Sequence, residues 1–274
     1  MKKIKIIVCI KQVPGSTEIK IDPETNTLVR EGIENIVNPF DTYAIEEGVR
    51  LKERFNSGNN GNLDVEVVAV SMGPPQAERA LKESISLGVD SGLLLSDRAF
   101  AGADTWATAT TLAKAIKKID DYKLIIFGKQ TFDGDTGQVG PELAHKLNLP
   151  FIGYVSSILE IDYRKIKVKR LMEDRYEIIE TKLPAAISVG KDINVPRVPS
   201  LRGKLKAKKA EIPVWDKNCL DIKEKEVGLS GSYTKVIKIF TPKVKHEVKI
   251  IKGSADEQVN ELCRELKELG VIYF

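Results

Sequence analysis

Short apolar runs alternate with amphipathic segments over the first 155 residues, and this alternation constrains the fold more than any other feature. Such an order implies right-handed βαβ units and a mainly parallel sheet. The apolar residues, 42% of the chain, are mostly aliphatic, as is typical of strands buried on both faces. Strands are predicted at Ile4–Ile10, Val65–Ser71, Gly92–Ser96, Lys123–Gly128 and Phe151–Val155, and helices at Asp41–Phe55, Pro75–Leu87, Asp104–Ile119 and Thr136–Leu147. We therefore predict a doubly wound α/β fold.

The pattern changes after Ser157. Polar and apolar residues alternate up to Pro184, which predicts an excursion of antiparallel strands before a last buried strand at Ala185–Val189. Residues 191–209 are polar and basic and are expected to form an exposed loop, while 210–253 show no clear domain pattern. Ser254–Gly270 predicts a helix with an amino-terminal capping box. The expected domains are 1–200, with the loop at about 191–209, and a carboxyl-terminal arm and helix at 201–274.

Charge and residue types exclude several classes of protein. A net charge of +4, from 43 basic and 39 acidic residues, gives no reason to expect nucleic-acid binding. Cys9, Cys219 and Cys263 are far apart and odd in number, which predicts a reducing, cytoplasmic setting. His145 and His246 have no metal-ligand spacing, so no metal site is expected. No apolar stretch is long enough to cross a bilayer.

Four loops follow predicted strands at the edge where open parallel sheets bind ligands. They are Ile10–Pro14, Ser71–Pro75, Ser96–Asp104 and the glycine-rich stretch Phe127–Leu143, FGKQTFDGDTGQVGPEL. Glycines allow close backbone approach, and the start of the next helix favours an anion. Because the stretch has neither a GxGxxG nor a Walker pattern, a plain surface turn with a helix cap remains the alternative to a phosphate loop.

No group of catalytic residues stands out in the sequence. Serine has no histidine and aspartate partners in a recognisable motif, and no pair of carboxylates suggests an acid–base couple. Asp104 is predicted to cap a helix, either as a cap alone or with a ligand role, and for Asn38 and Asp41 a plain cap is favoured over an adenosine contact. A nucleotide site without acid–base groups suits a bound cofactor with its own redox chemistry.

Five segments of the chain, in order, resemble the β subunit of electron transfer flavoproteins. They are VCIKQVPG, NPFDTYAIEEGVRLKE, VVAVSMGPPQAERALKESISLGVD, FGKQTFDGDTGQVGPELAHKLNLP and KLPAAISVGKDINVPRVPSLRGKLKAKK. The resemblance covers essentially the whole chain and implies an adenine-nucleotide α-hydrolase-like fold. It also implies a heterodimer with an α subunit that carries one FAD, with the arm and helix of residues 201–274 packed on that subunit.

The resemblance implies a second nucleotide in the β subunit, and two branches of the family differ in its identity. Simple electron carriers hold AMP and usually have three successive acids in the loop, whereas this chain has Asp133-Gly134-Asp135. The segments AFAGADTWAT and Arg170–Asp174 also resemble the electron-bifurcating branch. There FAD takes a hydride from NADH and divides the electrons between ferredoxin or flavodoxin and, through the α-subunit FAD, a partner dehydrogenase of the acyl-CoA or lactate type. The resemblance implies that the subunit is redox-active only within that complex.

The family's binding residues can be transferred to matching positions of this chain. Cys9, Asn38, Asp41 and Met72 are expected around the adenosine, and Asp104, Thr105 and Thr108 toward the flavin. Leu201 is expected to be the apolar anchor of a partner-docking segment. The phosphates and ribityl chain are expected against Gln130, Thr131, Asp133, Gly134, Asp135, Thr136, Gly137, Gln138 and Val139.

Overall fold

The computed structural model describes residues 2–15, 35–57, 63–237 and 248–273. The chain divides into two compact units, one up to Ile237 and one from Lys238 to Phe274. His246 lies outside the described residues.

The first unit alternates strands and helices in the predicted order. Its helices are α1 (Pro39–Ser57), α2 (Glu78–Ser86), α3 (Thr105–Ile119), α4 (Val139–Leu147) and α5 (Leu201–Lys209). Its strands are β1 (Lys2–Cys9), β2 (Gln12–Pro14), β3 (Asn35–Val37), β4 (Leu63–Met72), β5 (Ser91–Leu95), β6 (Tyr122–Gly128), β7 (Phe151–Ile161), β8 (Lys165–Leu171), β9 (Tyr176–Lys182), β10 (Ala185–Val189) and β11 (Val214–Trp215).

Nine strands form one sheet in the order β11-β5-β4-β1-β6-β10-β7-β8-β9. Neighbouring strands run parallel from β11 to β7, and β8 is antiparallel to both of its neighbours, β7 and β9. A small antiparallel sheet joins β2 and β3. On one side of β1 the sheet continues with β4 and β5, and on its other side with β6 and β10. This order confirms the doubly wound α/β fold.

Helices cover both faces of the sheet. One buried cluster contains Ile45 of α1 and Leu81 of α2 with β1, β4 and β6 residues, and the other contains Ile116 of α3 and Leu143 of α4. Ile125 and Ile126, adjacent on β6, belong to opposite clusters because successive side chains of a strand point to opposite faces. The central strands of the sheet are therefore buried on both faces, which explains their aliphatic residues.

Several helices differ from the prediction. Helix α2 begins at Glu78, after a 3₁₀ turn at Pro75–Ala77, instead of at Pro75. Helix α1 begins at Pro39, so Asp41 lies inside its first turn and is not its cap. Helix α4 begins at Val139 instead of Thr136, because Asp135 and Gly137 have φ values of 55° and 62°, outside the right-handed helical region. In the expected loop of 191–209, residues Leu201–Lys209 form a helix, whose start is capped by Ser200.

The second unit contains helix α6 (Ala255–Glu268), as predicted. Glu257 accepts hydrogen bonds from the Ser254 backbone N–H and hydroxyl group at 2.8 and 2.9 Å, and Gly270 has a φ of 68° just beyond the helix. The apolar stripe of α6, which includes Val259 and Leu262, is not buried. Across the described residues, no helix combines the length and apolarity needed to traverse a bilayer.

Candidate nucleotide site

The carboxyl ends of the central strands meet along one edge of the sheet. Cys9 of β1 is in register with Val70 of β4 and Phe127 of β6, and Gly128 is in register with Val189 of β10. Because the strand order reverses between β1 and β6, the loops after these strands diverge and leave a crevice. The structure thus brings the β1 loop and the glycine-rich loop, residues 128–138, to the position where doubly wound sheets bind ligands.

Asp41, in the first turn of α1, joins the two loops beneath the crevice. Its Oδ2 accepts a hydrogen bond of 2.7 Å from the Lys11 backbone N–H. Burial raises the pKa of Asp41 to about 7, although the Lys11 N–H and the neighbouring polar groups of Asn38 and Gly128 act to lower it. A Cβ at residue 128 would lie 2.4 Å from Asp41 Oδ1, so only glycine permits this close approach of β6 to the carboxylate.

Asn38 is fully buried and holds the glycine-rich loop by its backbone. Its Nδ2 donates to the Gln130 carbonyl at 2.9 Å, and its Oδ1 accepts from the Phe132 N–H at 3.0 Å. Both ends of the carboxamide are therefore occupied by protein. The pair Asn38 and Asp41, expected around the adenosine, lies at the base of the loops.

The tip of the glycine-rich loop is exposed and polar. Its turn is closed by a hydrogen bond of 2.9 Å from Asp135 N–H to the Thr131 carbonyl, and the Gln130 side chain donates to Asp135 Oδ1. Lys11 Nζ bridges back from the β1 loop to both oxygens of Asp133, at 2.7 and 2.8 Å. The residues placed together here and expected to face the phosphates are Gln130, Thr131, Asp133, Gly134, Asp135, Thr136, Gly137, Gln138 and Val139.

The amino end of α4 is the feature of this crevice that would favour an anion. Gln138 occupies the cap position without a side-chain hydrogen bond, so the first N–H groups of the helix are not capped by a side chain. These donors and the helix dipole favour a phosphate oxygen. Gly134 and Gly137 leave the loop backbone accessible, and the chemistry of this donor set fits the phosphates of a nucleotide.

The start of α3 lies beside the start of α4. Thr105 Oγ1 contacts Gln138 Oε1 at 3.3 Å and donates to Glu142 Oε1 at 3.1 Å, which links the two helix ends. Burial raises the pKa of Glu142, and its Oε2 has no hydrogen-bond partner within the described parts of the chain. Thr108, one turn further along α3, is half-buried. These hydroxyl groups extend the polar wall of the crevice beyond the glycine-rich loop.

Asp104 serves as a cap and as an anchor. Its Oδ1 accepts from the Ala107 N–H at 2.9 Å, and its Oδ2 accepts from the N–H groups of Tyr233 and Thr234 at 2.8 and 3.0 Å and from the Thr234 hydroxyl at 3.2 Å. Its own N–H donates to Ser232 Oγ at 2.8 Å. Burial acts to raise the pKa of Asp104, but the backbone donors outweigh it and the pKa lies below its ordinary value. Both carboxylate oxygens are therefore engaged by the chain itself.

Three further predicted residues occupy different surroundings. Cys9 is buried at the end of β1, where burial and the charge of Asp41 raise the pKa of its thiol far above the ordinary range. Met72 is half-buried at the end of β4. Leu201 belongs to another surface: it begins α5, which packs on α2, and 76% of it is exposed.

Sequence reasoning missed Lys11, Gly128 and Glu142, which complete the crevice. Gly128 has a signal in the sequence, because a glycine at the end of a buried strand often marks a close approach of another backbone. The roles of Lys11 and Glu142 depend on contacts across the fold that spacing does not reveal. Within the described ranges, no group of three histidine, cysteine or acidic residues could hold a metal ion.

A doubly wound sheet with a glycine-rich loop and an uncapped helix end at its switch point is an arrangement typical of nucleotide-binding α/β proteins. The family model for the electron transfer flavoprotein domain matches residues 25–219, most of this unit. The chain belongs to the electron transfer flavoprotein family.

Relatives that match 86–98% of the chain include one named as a beta subunit of this family. The electron transfer flavoprotein subunit beta of Thermoanaerobacterium thermosaccharolyticum is 44% identical over 98% of this chain and 100% of the relative. The caffeyl-CoA reductase-Etf complex subunit CarD of Acetobacterium woodii is 41% identical over the same shares. Protein FixA of Azotobacter vinelandii is 43% identical over 86% of this chain and 84% of the relative.

Proposed function

We propose that this chain is the β subunit of an electron-bifurcating electron transfer flavoprotein that works in a cytoplasmic heterodimer with an α subunit. In this proposal the crevice holds FAD, which accepts a hydride from NADH. One electron passes to ferredoxin or flavodoxin, and the other passes through the α-subunit FAD to a partner dehydrogenase. The name of the Acetobacterium relative, a subunit of a reductase–Etf complex, supports the link to a dehydrogenase or reductase partner.

The observation that supports FAD over AMP as the ligand is the contact between the starts of α3 and α4. A mononucleotide needs the β1 loop, the glycine-rich loop and one helix end. Here Thr105 extends that surface to a second helix end through its contacts with Gln138 and Glu142. An extended dinucleotide can use both, with phosphates at the Gly137–Val139 backbone and its flavin end toward Thr105 and Thr108.

The protein's contribution is to bind and orient, because the cofactor supplies the hydride and single-electron chemistry. The buried contacts of Asn38 and Asp41 fix the loop backbone, so its donors are in place before the nucleotide arrives. Such preorganisation lowers the ordering cost of binding. The exposed side chains at Leu201 and along the apolar stripe of α6 are proposed contacts for the dehydrogenase and the α subunit, respectively.

The alternative function is a simple electron carrier with structural AMP in the same crevice. Its specific support is that Asp104, expected near a flavin, has both carboxylate oxygens engaged by the chain. Anaerobic titration of the purified heterodimer with NADH separates the two functions. Direct bleaching of the flavin absorbance is expected for bifurcation; bleaching only after a reduced dehydrogenase is added would support the AMP-containing carrier.

A further inference from the structure

Residues 194–200 lead into α5 and belong to no helix or strand of the described chain. Pro196 and Pro199, three residues apart, fix φ at about −65° at their own positions. Three residues is also the period of a polyproline II helix, in which every third side chain lies on the same side. Because such a helix has no internal hydrogen bonds, contacts with other parts of the protein must hold the segment in place.

One side of this segment is polar and bound to α1. The Arg197 backbone N–H and Nε donate to Glu46 Oε2 at 3.1 and 2.8 Å, and Nη2 donates to Glu46 Oε1 at 3.1 Å. Nη1 and Nη2 also donate to the two oxygens of Glu53, at 2.6 and 2.9 Å. Asn194, three residues before Arg197, donates to Glu47 Oε2 at 2.9 Å. The contacts of Arg197 with Glu46 and Glu53, the Arg197 clamp, fix the segment along α1.

The Arg197 clamp is complete within this chain. Glu46 is 6% exposed, and the Arg197 side chain that neutralises it is 33% exposed. A buried carboxylate without this pair would be an uncompensated charge, so the closed clamp is favoured over an open one. A planar guanidinium can bridge two carboxylates, whereas an ammonium is a single point charge on a flexible stem. The position of Arg197 is therefore well defined before any partner binds.

A second side of the segment is apolar and exposed. Val195, Val198 and Leu201 follow one another at the same three-residue spacing and are 87%, 86% and 76% exposed. Leu205, one turn further along α5, is 54% exposed. Together these four side chains form an exposed apolar row. A contiguous apolar surface of this kind marks a site of contact with another protein.

Basic side chains accompany the apolar row where α5 begins. The helix has no acidic residue, and Arg202, Lys204, Lys208 and Lys209 are exposed on it. A partner that matches both features has an apolar hollow with carboxylates at its rim, because complementary charges favour encounter and fix the orientation of docking. We expect this chemistry on the surface of the dehydrogenase that meets Leu201.

We propose that Arg197 is a positioning residue for electron exchange with the partner dehydrogenase, because its clamp on α1 presents the apolar row in a preformed arrangement. Arg197 acts through the segment that it holds. Preformed order lowers the entropic cost of docking and therefore strengthens the encounter complex. The inference rests on the proposed function in one respect, which is that a dehydrogenase docks at Leu201.

The experiment measures how the rate of electron exchange depends on the concentration of the αβ heterodimer. An acyl-CoA dehydrogenase and a lactate-type flavin dehydrogenase, each with excess substrate, are first tried on the unmodified heterodimer, and dichlorophenolindophenol reoxidises its flavin. With the dehydrogenase that reacts, Arg197→Met should raise the KM for the heterodimer about tenfold to thirtyfold and leave kcat within twofold. A loss of fold alone would lower the melting temperature and the FAD content without this split between KM and kcat.

A double variant keeps the test valid if Arg197→Met is poorly folded. Glu46→Gln in the same chain removes the buried charge that Arg197→Met leaves unpaired, so stability should be recovered while KM stays high. Glu53→Gln removes only the exposed part of the clamp and should raise KM about threefold.

Two further variants separate anchoring from net charge. Arg197→Lys keeps the charge but cannot bridge both carboxylates, so its KM should lie within threefold of that of Arg197→Met. Arg164→Met is the matched control, because it removes an exposed arginine from the turn between β7 and β8. Its KM should stay within twofold of the unmodified value.

Two outcomes overturn the inference alone. A KM within twofold of the unmodified value in the Arg197→Met/Glu46→Gln double variant would show that the clamp does not prepare the docking surface. An equal rise in KM for Arg164→Met and Arg197→Met would assign the effect to net charge. A heterodimer that exchanges electrons with neither dehydrogenase would contradict the proposed function, and the inference with it, so the two failures are distinguishable.

Discussion

Replacement of Asp104 distinguishes two roles of this residue: contact with a ligand, and anchoring of the segment at 228–237. In Asp104→Asn the remaining oxygen can keep the hydrogen bond from Ala107 N–H, since asparagine caps helices as well as aspartate does. The new amide then faces the N–H groups of Tyr233 and Thr234, and the three hydrogen bonds that Oδ2 accepts are lost. The change therefore removes the anchor and preserves the cap.

The magnitude follows from the kind of hydrogen bond that is lost. A bond to a charged group contributes about 1.5–3 kcal/mol, and this partly exposed site belongs near the lower end. We expect local opening of 228–237 to become easier by about 2 kcal/mol, which is roughly a thirtyfold faster amide exchange. Global stability should fall by less than about 1 kcal/mol, because the cap survives.

Hydrogen–deuterium exchange of the 228–237 peptide, read beside nucleotide content, is the assay. Asp104→Ser is the matched control, because serine can also cap the helix. Asp104→Ala removes the cap as well and should have ~1 kcal/mol less global stability than Asp104→Asn. Because the pKa of Asp104 lies below its ordinary value, protection in the unmodified protein should persist from neutral pH to about pH 4 and decline only below it. If amide exchange of 228–237 is unchanged while nucleotide is lost, Asp104 does not anchor this segment and contacts the ligand instead.

Three further substitutions test other parts of the account. In Gly134→Asp the new Cβ lies 3.0 Å from Thr131 Oγ1, and the loop gains a third acid. Extraction of the cofactor should then show less FAD relative to AMP at the β site. An unaltered FAD content would contradict the role given to this glycine. Leu201→Glu should slow electron transfer to the partner dehydrogenase at least tenfold in stopped-flow mixing while the melting temperature is unchanged, and normal transfer would exclude this residue from the docking surface. Gly203→Ala places a Cβ 2.1 Å from the Ser86 carbonyl, so calorimetry should show a loss of about 1–3 kcal/mol; an unchanged melting temperature would mean that α5 is not held against α2.

The alternation of elements was predictable because local patterns and global topology agree in this chain. The strand at Ala185–Val189 was located to the residue, and Asp104 was identified as a helix cap. The cluster of loops at one edge followed from parallel topology alone. These features depend on periodicity and on side-chain to backbone contacts of short range.

The remaining features depend on contacts between distant residues. Asp41 resembles a helix cap in the sequence, yet Pro39 starts the helix earlier and turns this carboxylate toward Lys11 and Gly128. Helix α4 starts late because Asp135 has a left-handed backbone conformation. Aspartate tolerates this conformation, but its presence in a sequence does not predict it.

Helix α5 was not predicted because its sequence is basic and has little apolar periodicity. It is positioned by the close approach of Gly203 to the Ser86 carbonyl at the end of α2 and by the hydrogen bond from Lys206 Nζ to the Val89 carbonyl. Tertiary contacts thus override a weak local preference.

Identification of the nucleotides released from the purified αβ heterodimer tests the central proposal most directly. Acid extraction followed by chromatography should yield two FAD per heterodimer and no AMP. One FAD together with one AMP per heterodimer would contradict electron bifurcation by this subunit and establish the same crevice as a structural AMP site.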